Sequence, residues 1–307
     1  MEQKPLVSVV IPTYKRPDMI ARAVESVLNQ TYDNIEIFVV DDNDPSFPER
    51  KATEEVMAQF ESNPQVTYIQ HECNKNGSAA RNTGWRRANG DYITYLDDDD
   101  EISPRKIQAQ VECLEALDES WGACYTAYHT LMQDGSIQKS TTNQSGDVYL
   151  RALMRVFYVG SGSNVLLRKK VVDEINGYDE DFLRNQDIEF MARAFENYKV
   201  AYVPEDLLTI HWEVRAIHRP YEFVEGIATF YLEKMSSRIN KLSPRDKHRV
   251  LAVIALDRAR IALYYKQYKE IIRILQENGV TIFEICQYVG YLAKRIITKK
   301  SYGFYLD

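Results

Sequence analysis

The chain has 307 residues and a net charge of −7, and its apolar and charged fractions are 45% and 27%. These values are ordinary for a soluble globular protein, so we expect one large domain with an appendage. The negative charge argues against a broad nucleic-acid-binding surface. The cysteines lack the spacing of a metal site, which favours a reducing, cytoplasmic setting. The polar residues 1–5 and the short apolar run behind them predict no signal peptide, and no apolar stretch approaches the length of a membrane span.

The first part of the chain alternates between strand and helix patterns. The predicted strands are 7–11, 35–40 and 66–69, and the predicted helices between them are 17–28 and 49–61. This order is typical of a parallel sheet with helices on both faces. Ligands of such sheets bind beyond the carboxyl ends of the strands, so we expect the functional residues at 12–14, 41–42 and 97–100.

A buried strand is predicted at 92–96, and four aspartates and Glu101 follow it directly. So many carboxylates repel one another, but a hard cation could neutralise them. On an extended chain Asp97 and Asp99 would point the same way, which suits one divalent ion and a ligand phosphate, with Asp98 turned elsewhere. A solvated acidic loop is an alternative interpretation of equal weight. An EF-hand loop is disfavoured, because the required glycine and glutamate are missing.

Two later helix starts carry candidate ligand-binding residues. The small residues 77–80 would let the backbone approach an anion at a helix N-terminus, and Arg81 could reach a phosphate. An ordinary capped helix whose arginine pairs with the acidic loop explains this segment equally well. Another helix is predicted to begin just after Asp187. That aspartate is either an N-cap or a carboxylate that faces a cleft from a rigid position.

From about residue 220 the pattern becomes entirely helical, with helices predicted at 221–239, 244–266, 268–276 and 282–297. We therefore divide the chain into a first domain, 1–219, and a helical region, 220–307, for packing, oligomerisation or membrane association. The last helix combines apolar and aromatic residues with a basic end, so it could lie on an anionic membrane. Packing against the preceding helices or a second subunit is the favoured alternative. The basic residues are Lys294, Arg295, Lys299 and Lys300.

Four segments, in this order and spacing, resemble the family 2 glycosyltransferases. They are 9–14 (VVIPTY), 39–42 (VVDD), 76–82 (NGSAARN) and 95–100 (YLDDDD). The resemblance implies the GT-A fold, an α/β fold with a Rossmann-like, mostly parallel central sheet and helices on both faces. The all-helical C-terminal region would follow it. The loop 42–45 departs from the family pattern, which leaves the role of Asp42 open.

The resemblance also implies how a nucleotide-sugar donor is held. The residues after the first strand and the acid after the second would contact the nucleoside, and the Asn-Gly and Arg-Asn segment would contact nucleoside and phosphate. In the acidic run, Asp97 would approach the ribose and Asp98 would belong to the same donor site. The other donor-binding residues implied in this way are Pro12, Thr13, Tyr14, Asp41, Asn76, Gly77 and Arg81.

A metal ion and a catalytic base are implied by the same resemblance. Asp99 would bind Mn²⁺ or Mg²⁺ on the donor diphosphate, assisted by His211 or by its rival His218, and the ion would make the diphosphate a better leaving group. Asp187 would deprotonate the acceptor hydroxyl. It follows Gln186, which replaces the family's glutamate, and burial beside this neutral side chain would leave Asp187 ionised at neutral pH. No cysteine or serine with a base partner argues for a covalent intermediate, so single displacement with inversion is expected.

We therefore expect a metal-dependent inverting glycosyltransferase that moves a sugar from a nucleotide-sugar, in the first instance a UDP-sugar, to a saccharide or lipid-linked acceptor in bacterial surface polysaccharide synthesis. Family habit and the basic last helix place it in the cytoplasm at the inner face of the membrane, and the helical region could form a homo-oligomer. Residues 160–164 would line the acceptor cleft or support the sheet.

Two other functions stay open at this point. A sugar nucleotidyltransferase would share the fold, but it would need a glycine-rich loop after the first strand, and residues 12–16 contain no glycine. A non-catalytic nucleotide-sugar-binding subunit would use the helical region for assembly, although it would not need a base such as Asp187.

Overall fold

The computed structural model describes residues 4–212, 219–298 and 303–306. Within these ranges, residues 4–147 and 159–212 form one compact unit. Residues 148–158, 219–298 and 303–306 form the second.

The first unit is built on a sheet of nine strands in the described part of the chain. The strands are β1 (Val7–Thr13), β2 (Ile35–Asp41), β3 (Val66–Gln70), β4 (Tyr92–Tyr95), β5 (Glu101–Ile102), β6 (Trp121–Leu131), β7 (Ile137–Lys139), β8 (Leu166–Arg168) and β9 (Lys199–His211). Their order across the sheet is β3-β2-β1-β4-β8-β6-β9-β5, and β7 pairs with β6 outside this path.

Helices connect and follow these strands. They are α1 (Pro17–Leu28), α2 (Pro48–Met57), α3 (Gly77–Trp85), α4 (Lys106–Glu115), α5 (Tyr149–Leu153), α6 (Lys169–Glu174), α7 (Gln186–Ala194), α8 (Tyr221–Asn240), α9 (Pro244–Tyr264), α10 (Tyr268–Glu277) and α11 (Ile282–Thr298). Short 3-10 helices occupy residues 58–60 and 162–164.

The sheet is mixed. β1 pairs in parallel with β2 and β4, and β2 with β3, as the alternation of strands and helices predicts. β8 runs antiparallel to β4 and β6, while β6 and β9 are parallel. The purely parallel order therefore ends at β8, where the pairing changes to antiparallel on both sides.

The core of the first unit lies between the strands and the helices that cover them. β1 is apolar along most of its length, and Val7, Val9 and Ile11 are fully buried with one face of α1. That face repeats at helical spacing through Ile20 and Val24. Each aliphatic side chain buried in this way contributes about 1.5–3 kcal/mol to folding. The buried strands therefore give the strand ends a rigid support.

The carboxyl ends of the parallel strands meet at one edge of the sheet. Thr13, the last residue of β1, pairs with Asp41, the last residue of β2. Beyond β4, Leu96 donates its amide to the carbonyl of Val10 in β1. The acidic run therefore begins beside the ends of β1 and β2.

The second unit is helical, as predicted from residue 220 onward. It also contains the segment 148–158, which the sequence-based division puts in the first domain. This segment joins the C-terminal helices because Tyr231 in α8 donates its hydroxyl to the carbonyl of Leu153 at 3.0 Å. None of the helices in the described residues combines the length and the apolar character needed to cross a bilayer.

Candidate functional site

The acidic run forms a tight turn. The amide of Asp100 donates to the carbonyl of Asp97 at 3.1 Å, so the run is not the extended chain from which Asp97 and Asp99 would point the same way. That geometric expectation is wrong, because the turn and the cations on either side send the carboxylates in different directions. Asp98 and Asp100 are only 5% and 2% exposed, which also rules out a simple solvated loop.

Asp98 and Asp99 share one cation from the loop after β1. Arg16 Nη1 lies 2.9 Å from Asp98 Oδ1 and 2.5 Å from Asp99 Oδ2. Thr13 donates its hydroxyl to the other oxygen of Asp98 at 2.8 Å. Burial raises the pKa of Asp98 to about 6, although Arg16 and Thr13 favour its ionised form. These contacts join the ends of β1 and β4.

Arg81 interacts with two acids from different segments, Asp97 and Asp187. Its Nη2 donates to Asp97 Oδ1 at 2.5 Å. Burial works against its charge, but Asp97 and Asp187 outweigh this effect and raise the pKa of Arg81. The sequence suggested that Arg81 reaches a phosphate or pairs with the acidic loop, and the second alternative describes the contact in this structure.

Asp187 lies in the first turn of α7. It is not the N-cap, because α7 begins at Gln186 and Asn185 precedes it in a left-handed conformation. Tyr178 donates its hydroxyl to Asp187 Oδ1 at 3.3 Å. Burial raises the pKa of Asp187, Asp97 adds to the increase, and Arg81 opposes it. Burial therefore acts against ionisation here, and Arg81 and Tyr178 are the groups that favour the carboxylate.

A glycine and two serines hold the acidic run against α7. A Cβ on Gly162 would lie 2.9 Å from Asp187 Oδ1, so only glycine leaves room for that carboxylate. Ser161 and Ser163 donate their hydroxyls to Asp100 Oδ2 at 2.7 and 2.6 Å. Burial raises the pKa of Asp100 to about 7. The segment 160–164 thus contacts both acids and supports the sheet as well.

Asp41, the last residue of β2, and Asp42, just after it, are both buried and both hydrogen-bonded to protein groups. Asp41 accepts hydrogen bonds from Asn43, from its amide at 2.9 Å and its side chain at 2.7 Å, and from Tyr68 at 2.5 Å. Contact between Asp41 and a nucleoside therefore stays a prediction. Asp42 accepts from the amides of Lys75 and Asn76 at 2.8 and 2.9 Å, so it shapes the loop before α3.

The remaining predicted donor residues lie around the same edge. Asn76 caps α3, accepting from the amide of Ala79 at 3.1 Å, and a Cβ on Gly77 would lie 3.0 Å from an Arg81 nitrogen. Pro12 is within β1, and Tyr14, just beyond it, is 39% exposed. All these positions stay predictions as ligand contacts.

His211, a predicted metal ligand, has a nitrogen that could bind a divalent ion. His211 Nε2 is buried, has no hydrogen-bond partner among the described residues, and lies 3.6 Å from Glu101 Oε2, which is too far for a hydrogen bond. Burial and Arg22 lower the pKa of His211, while Glu101 and Asp99 act in the opposite direction. A neutral imidazole with a free nitrogen and a nearby carboxylate fits a divalent metal.

His211 and Glu101 are too few to hold a metal ion by themselves. Within residues 4–212, 219–298 and 303–306, no group of three or more His, Cys, Asp or Glu side chains could hold a metal ion. Further ligands would have to come from a bound substrate or water. His218, the rival of His211, lies outside the described residues.

Sequence reasoning missed two residues of this cluster. They are Arg16, which contacts two acids of the run, and Tyr178, which contacts Asp187. Arg16 lies two residues after the predicted donor segment 12–14, and this proximity was the only signal for it. Tyr178 carries no local signal, because its role depends on how the chain folds before α7. Gly162, which abuts Asp187, belongs to the segment 160–164 that the sequence singled out without choosing its role.

Comparisons with known proteins bear on the fold and the family of this chain. The family model described as "Glycosyl transferase family 2" matches residues 8–175. The amylovoran biosynthesis glycosyltransferase AmsB of Erwinia amylovora is 28% identical over 214 residues, covering 68% of this chain and 70% of the relative. The uncharacterized glycosyltransferase MJ1057 of Methanocaldococcus jannaschii is 28% identical over 211 residues, covering 67% and 70%.

Two solved structures share the fold. One is S. aureus TarS 1–349 in complex with UDP-GlcNAc, with a TM-score of 0.65, 15% identity, and coverage of 89% of this chain and 80% of that one. The other is the mannosyltransferase PcManGT of Pyrobaculum calidifontis in complex with GDP-Man and Mn²⁺, with a TM-score of 0.57, 16% identity, and coverage of 96% and 81%. These similarities confirm the GT-A fold. Because the family model covers more than half of the sequence, the chain belongs to glycosyl transferase family 2.

Proposed function

We propose that this glycosyltransferase moves a sugar from a nucleotide-sugar, in the first instance a UDP-sugar, to a saccharide or lipid-linked saccharide in bacterial surface polysaccharide synthesis. The observation that carries the proposal is Arg81, whose charge interacts with Asp97 and Asp187 at the carboxyl edge of the sheet. Donor-side and acceptor-side acids thus share one cation. The UDP-GlcNAc bound to TarS and the amylovoran pathway of AmsB support this choice of donor and product.

The donor would lie along the strand ends, with its nucleoside near Thr13 and Asp41 and its ribose near Asp97. Pro12 and Tyr14 would complete the nucleoside site, and Asp98 would orient Thr13. The diphosphate would meet the N-terminus of α3, where Asn76 and Gly77 begin the helix and Arg81 lies one turn further. Backbone N–H groups and a buried guanidinium favour an anion at this position.

A divalent ion, Mn²⁺ or Mg²⁺, would be held by Asp99 and His211, with the diphosphate oxygens as further ligands. When bound, it would neutralise charge on the departing diphosphate. PcManGT, which shares the fold, is known with Mn²⁺. In this structure Arg16 holds Asp99, so metal binding would compete with that contact.

Asp187 would take the proton from the acceptor hydroxyl. Its carboxylate is fixed by Tyr178 and faces Gly162. A carboxylate that acts as a base on the acceptor hydroxyl fits direct displacement with inversion at the anomeric carbon. A raised pKa makes Asp187 a stronger base than an exposed aspartate, while its requirement for ionisation means that activity falls as the pH drops through that pKa.

The proposal is tested by incubating the full chain with a panel of nucleotide-sugars and Mn²⁺ or Mg²⁺ and measuring the nucleoside diphosphate released. One donor should be turned over, and an acceptor saccharide should increase its turnover. Asp187→Asn should lower transfer by about 10²–10⁴-fold while donor affinity stays nearly unchanged.

Asp134→Asn is the matched control, because Asp134 lies in the exposed β6–β7 turn and accepts the amide of Ser136, which asparagine can also do. Loss of donor binding in Asp187→Asn would reject Asp187 as the base. Donor binding by the unmodified chain without turnover, with any acceptor tested, would favour the non-catalytic subunit.

A further inference from the structure

Asp42 orders the loop that leads into α3. Its Oδ1 accepts from the amide of Lys75 at 2.8 Å and lies 2.7 Å from His71 Nδ1. Its Oδ2 accepts from the side chain of Asn74 at 2.8 Å and from the amide of Asn76 at 2.9 Å. A carboxylate has about four lone-pair positions, so these contacts fill them. The loop itself supplies all of the contacts except the one from the imidazole.

His71 joins this carboxylate to α3. The side chains of His71 and Asp42 are only 5% and 3% exposed, so water competes little for their contact. Because an ionised carboxylate can only accept a hydrogen bond, Nδ1 donates to Asp42. The other ring nitrogen, Nε2, lies 2.8 Å from the hydroxyl of Thr83 in α3, and that hydroxyl donates to the carbonyl of Ala79 at 3.0 Å. One buried imidazole therefore contacts both the acid that orders the loop and the helix that follows the loop.

The backbone of His71 is fixed as well. Its amide donates to the carbonyl of Asp41 at 2.9 Å. Its carbonyl accepts from Nη2 of Arg50 at 2.7 Å, and Arg50 is itself only 5% exposed. With its backbone held and both ring nitrogens in contact with other groups, the side chain has little freedom to turn. The imidazole is therefore rigid enough to set the positions of the groups that it contacts.

The loop depends on such support because Asn76 has an unusual backbone conformation. Its φ is +86°, in a region that residues other than glycine rarely adopt. A residue in such a conformation persists only where the surrounding contacts hold it. The bond from its amide to Asp42 is one of these contacts, and its side chain accepts from the amide of Ala79 at 3.1 Å to cap α3. The position of the α3 N-terminus therefore depends on Asp42.

We propose that His71 is a positioning residue for the nucleotide-sugar donor. It holds Asp42, which in turn holds the loop 74–76 and the N-terminus of α3 in the arrangement that takes the diphosphate. This role rests on the proposed function, which puts the diphosphate at this helix start. His71 acts through Asp42 and does not itself touch the donor. It should therefore affect donor binding and leave the transfer step, which depends on Asp187, nearly unchanged.

Three substitutions at His71 separate its two side-chain contacts. The amide nitrogen of asparagine can replace Nδ1, that of glutamine can replace Nε2, and leucine replaces neither. We expect His71→Leu and His71→Gln to weaken UDP binding in isothermal titration calorimetry by about tenfold, because Asp42 then lacks one of its donors. His71→Asn should bind UDP within about twofold of the unmodified chain. In steady-state kinetics, the first two variants should raise the donor KM by about the same factor as the Kd of UDP, while kcat changes by less than about twofold.

His129→Leu is the matched control, because His129 also contacts an aspartate and a threonine. Its Nδ1 lies 2.8 Å from Asp206 Oδ1, and its Nε2 lies 3.2 Å from the hydroxyl of Thr209. Both partners belong to β9 and not to the loop before α3. This variant should bind UDP as the unmodified chain does. Circular dichroism should show that every variant is folded at the temperature of the titration.

The titrations separate a failure of this role from a failure of the proposed function. If the unmodified chain did not bind UDP, the proposed donor would be wrong and the role of His71 would fall with it. If the unmodified chain bound UDP and His71→Leu bound it equally well, only the role of His71 would be overturned. Equal weakening in His129→Leu, binding by His71→Asn as weak as by His71→Leu, or a fall in kcat as large as the rise in KM would overturn it too.

Discussion

Asp187 occupies an environment that is both crowded and electrostatically mixed. Gly162 approaches its carboxylate on one side, while Tyr178 donates a hydrogen bond to it. Burial and Asp97 raise its pKa, and Arg81 lowers it. The pKa of Asp187 therefore depends on small distances, because the balance between burial and the nearby guanidinium changes when the carboxylate moves.

At the residue scale, Gly162→Ala tests this dependence. The new methyl would lie 2.9 Å from Asp187 Oδ1 and would push the carboxylate from its position. We expect kcat to fall by about 10–100-fold with a smaller change in donor KM, and the pH at which kcat is half-maximal to shift. Steady-state kinetics across a pH series measures all three.

Gly226→Ala is the control for this substitution. Gly226 lies within α8, and a Cβ there would meet no other atom within 4 Å among the described residues. Its kinetics should match those of the unmodified chain, and its stability should rise by up to about 1 kcal/mol from helix propensity. Unchanged kinetics in Gly162→Ala would show that Gly162 does not position Asp187.

At the element scale, the segment 160–164 is anchored by one fully buried side chain. Asn164 donates to the carbonyls of Thr126 and Val159 at 2.9 and 2.7 Å. It accepts from the amide and the hydroxyl of Thr126 at 3.1 and 2.9 Å. These hydrogen bonds attach the segment to β6 at Asn164, which directly follows Ser163, one of the serines that contact Asp100.

Asn164→Ala should destabilise the first unit strongly. The substitution leaves the backbone groups of Thr126 and the carbonyl of Val159 buried without these partners, and each unsatisfied group costs about 1–3 kcal/mol. We expect a loss of at least about 3 kcal/mol in the free energy of unfolding, measured in urea.

Asn143 offers a matched control for that measurement, because it is an exposed asparagine in the same unit. Asn143→Ala should change stability by no more than about 0.5 kcal/mol. A loss of under about 1 kcal/mol in Asn164→Ala would mean that water or a local rearrangement replaces the lost bonds.

At the scale of the whole molecule, ligand binding should increase the stability of the folded chain. A ligand that binds only the folded state adds about 2.7 kcal/mol at one hundred times its Kd. We expect UDP to raise Tm and Mn²⁺ to add to this increase. Asp99→Asn or His211→Ala should remove the Mn²⁺ increment and keep that of UDP, because both side chains are proposed as metal ligands.

Asp134→Asn, in the exposed turn after β6, should keep both increments in the same thermal scans. If Asp99→Asn retained the full Mn²⁺ increment, Asp99 would not be a metal ligand. If Mn²⁺ added nothing in the unmodified chain, transfer would have to proceed without that ion.

Much of the fold was predictable because it depends on local pattern. The apolar runs of β1 and β2, the amphipathic spacing of α1 and the four helices α8–α11 follow from periods of two and 3.6 residues, which any short window reveals. The same patterns predict the site at the strand ends. They could not show that β8 enters the sheet antiparallel, because strand pairing is a long-range property.

The sequence by itself determined the α/β class, the helical C-terminal region and the resemblance to family 2 glycosyltransferases, since these depend on residue order and local periodicity. Only the tertiary structure decided which residues each charged side chain contacts. It placed Arg16 on Asp98 and Asp99, Arg81 on Asp97, and Gly162 against Asp187. These pairs come from distant segments, and the packing of the sheet and helices, which no local pattern encodes, brings them into contact.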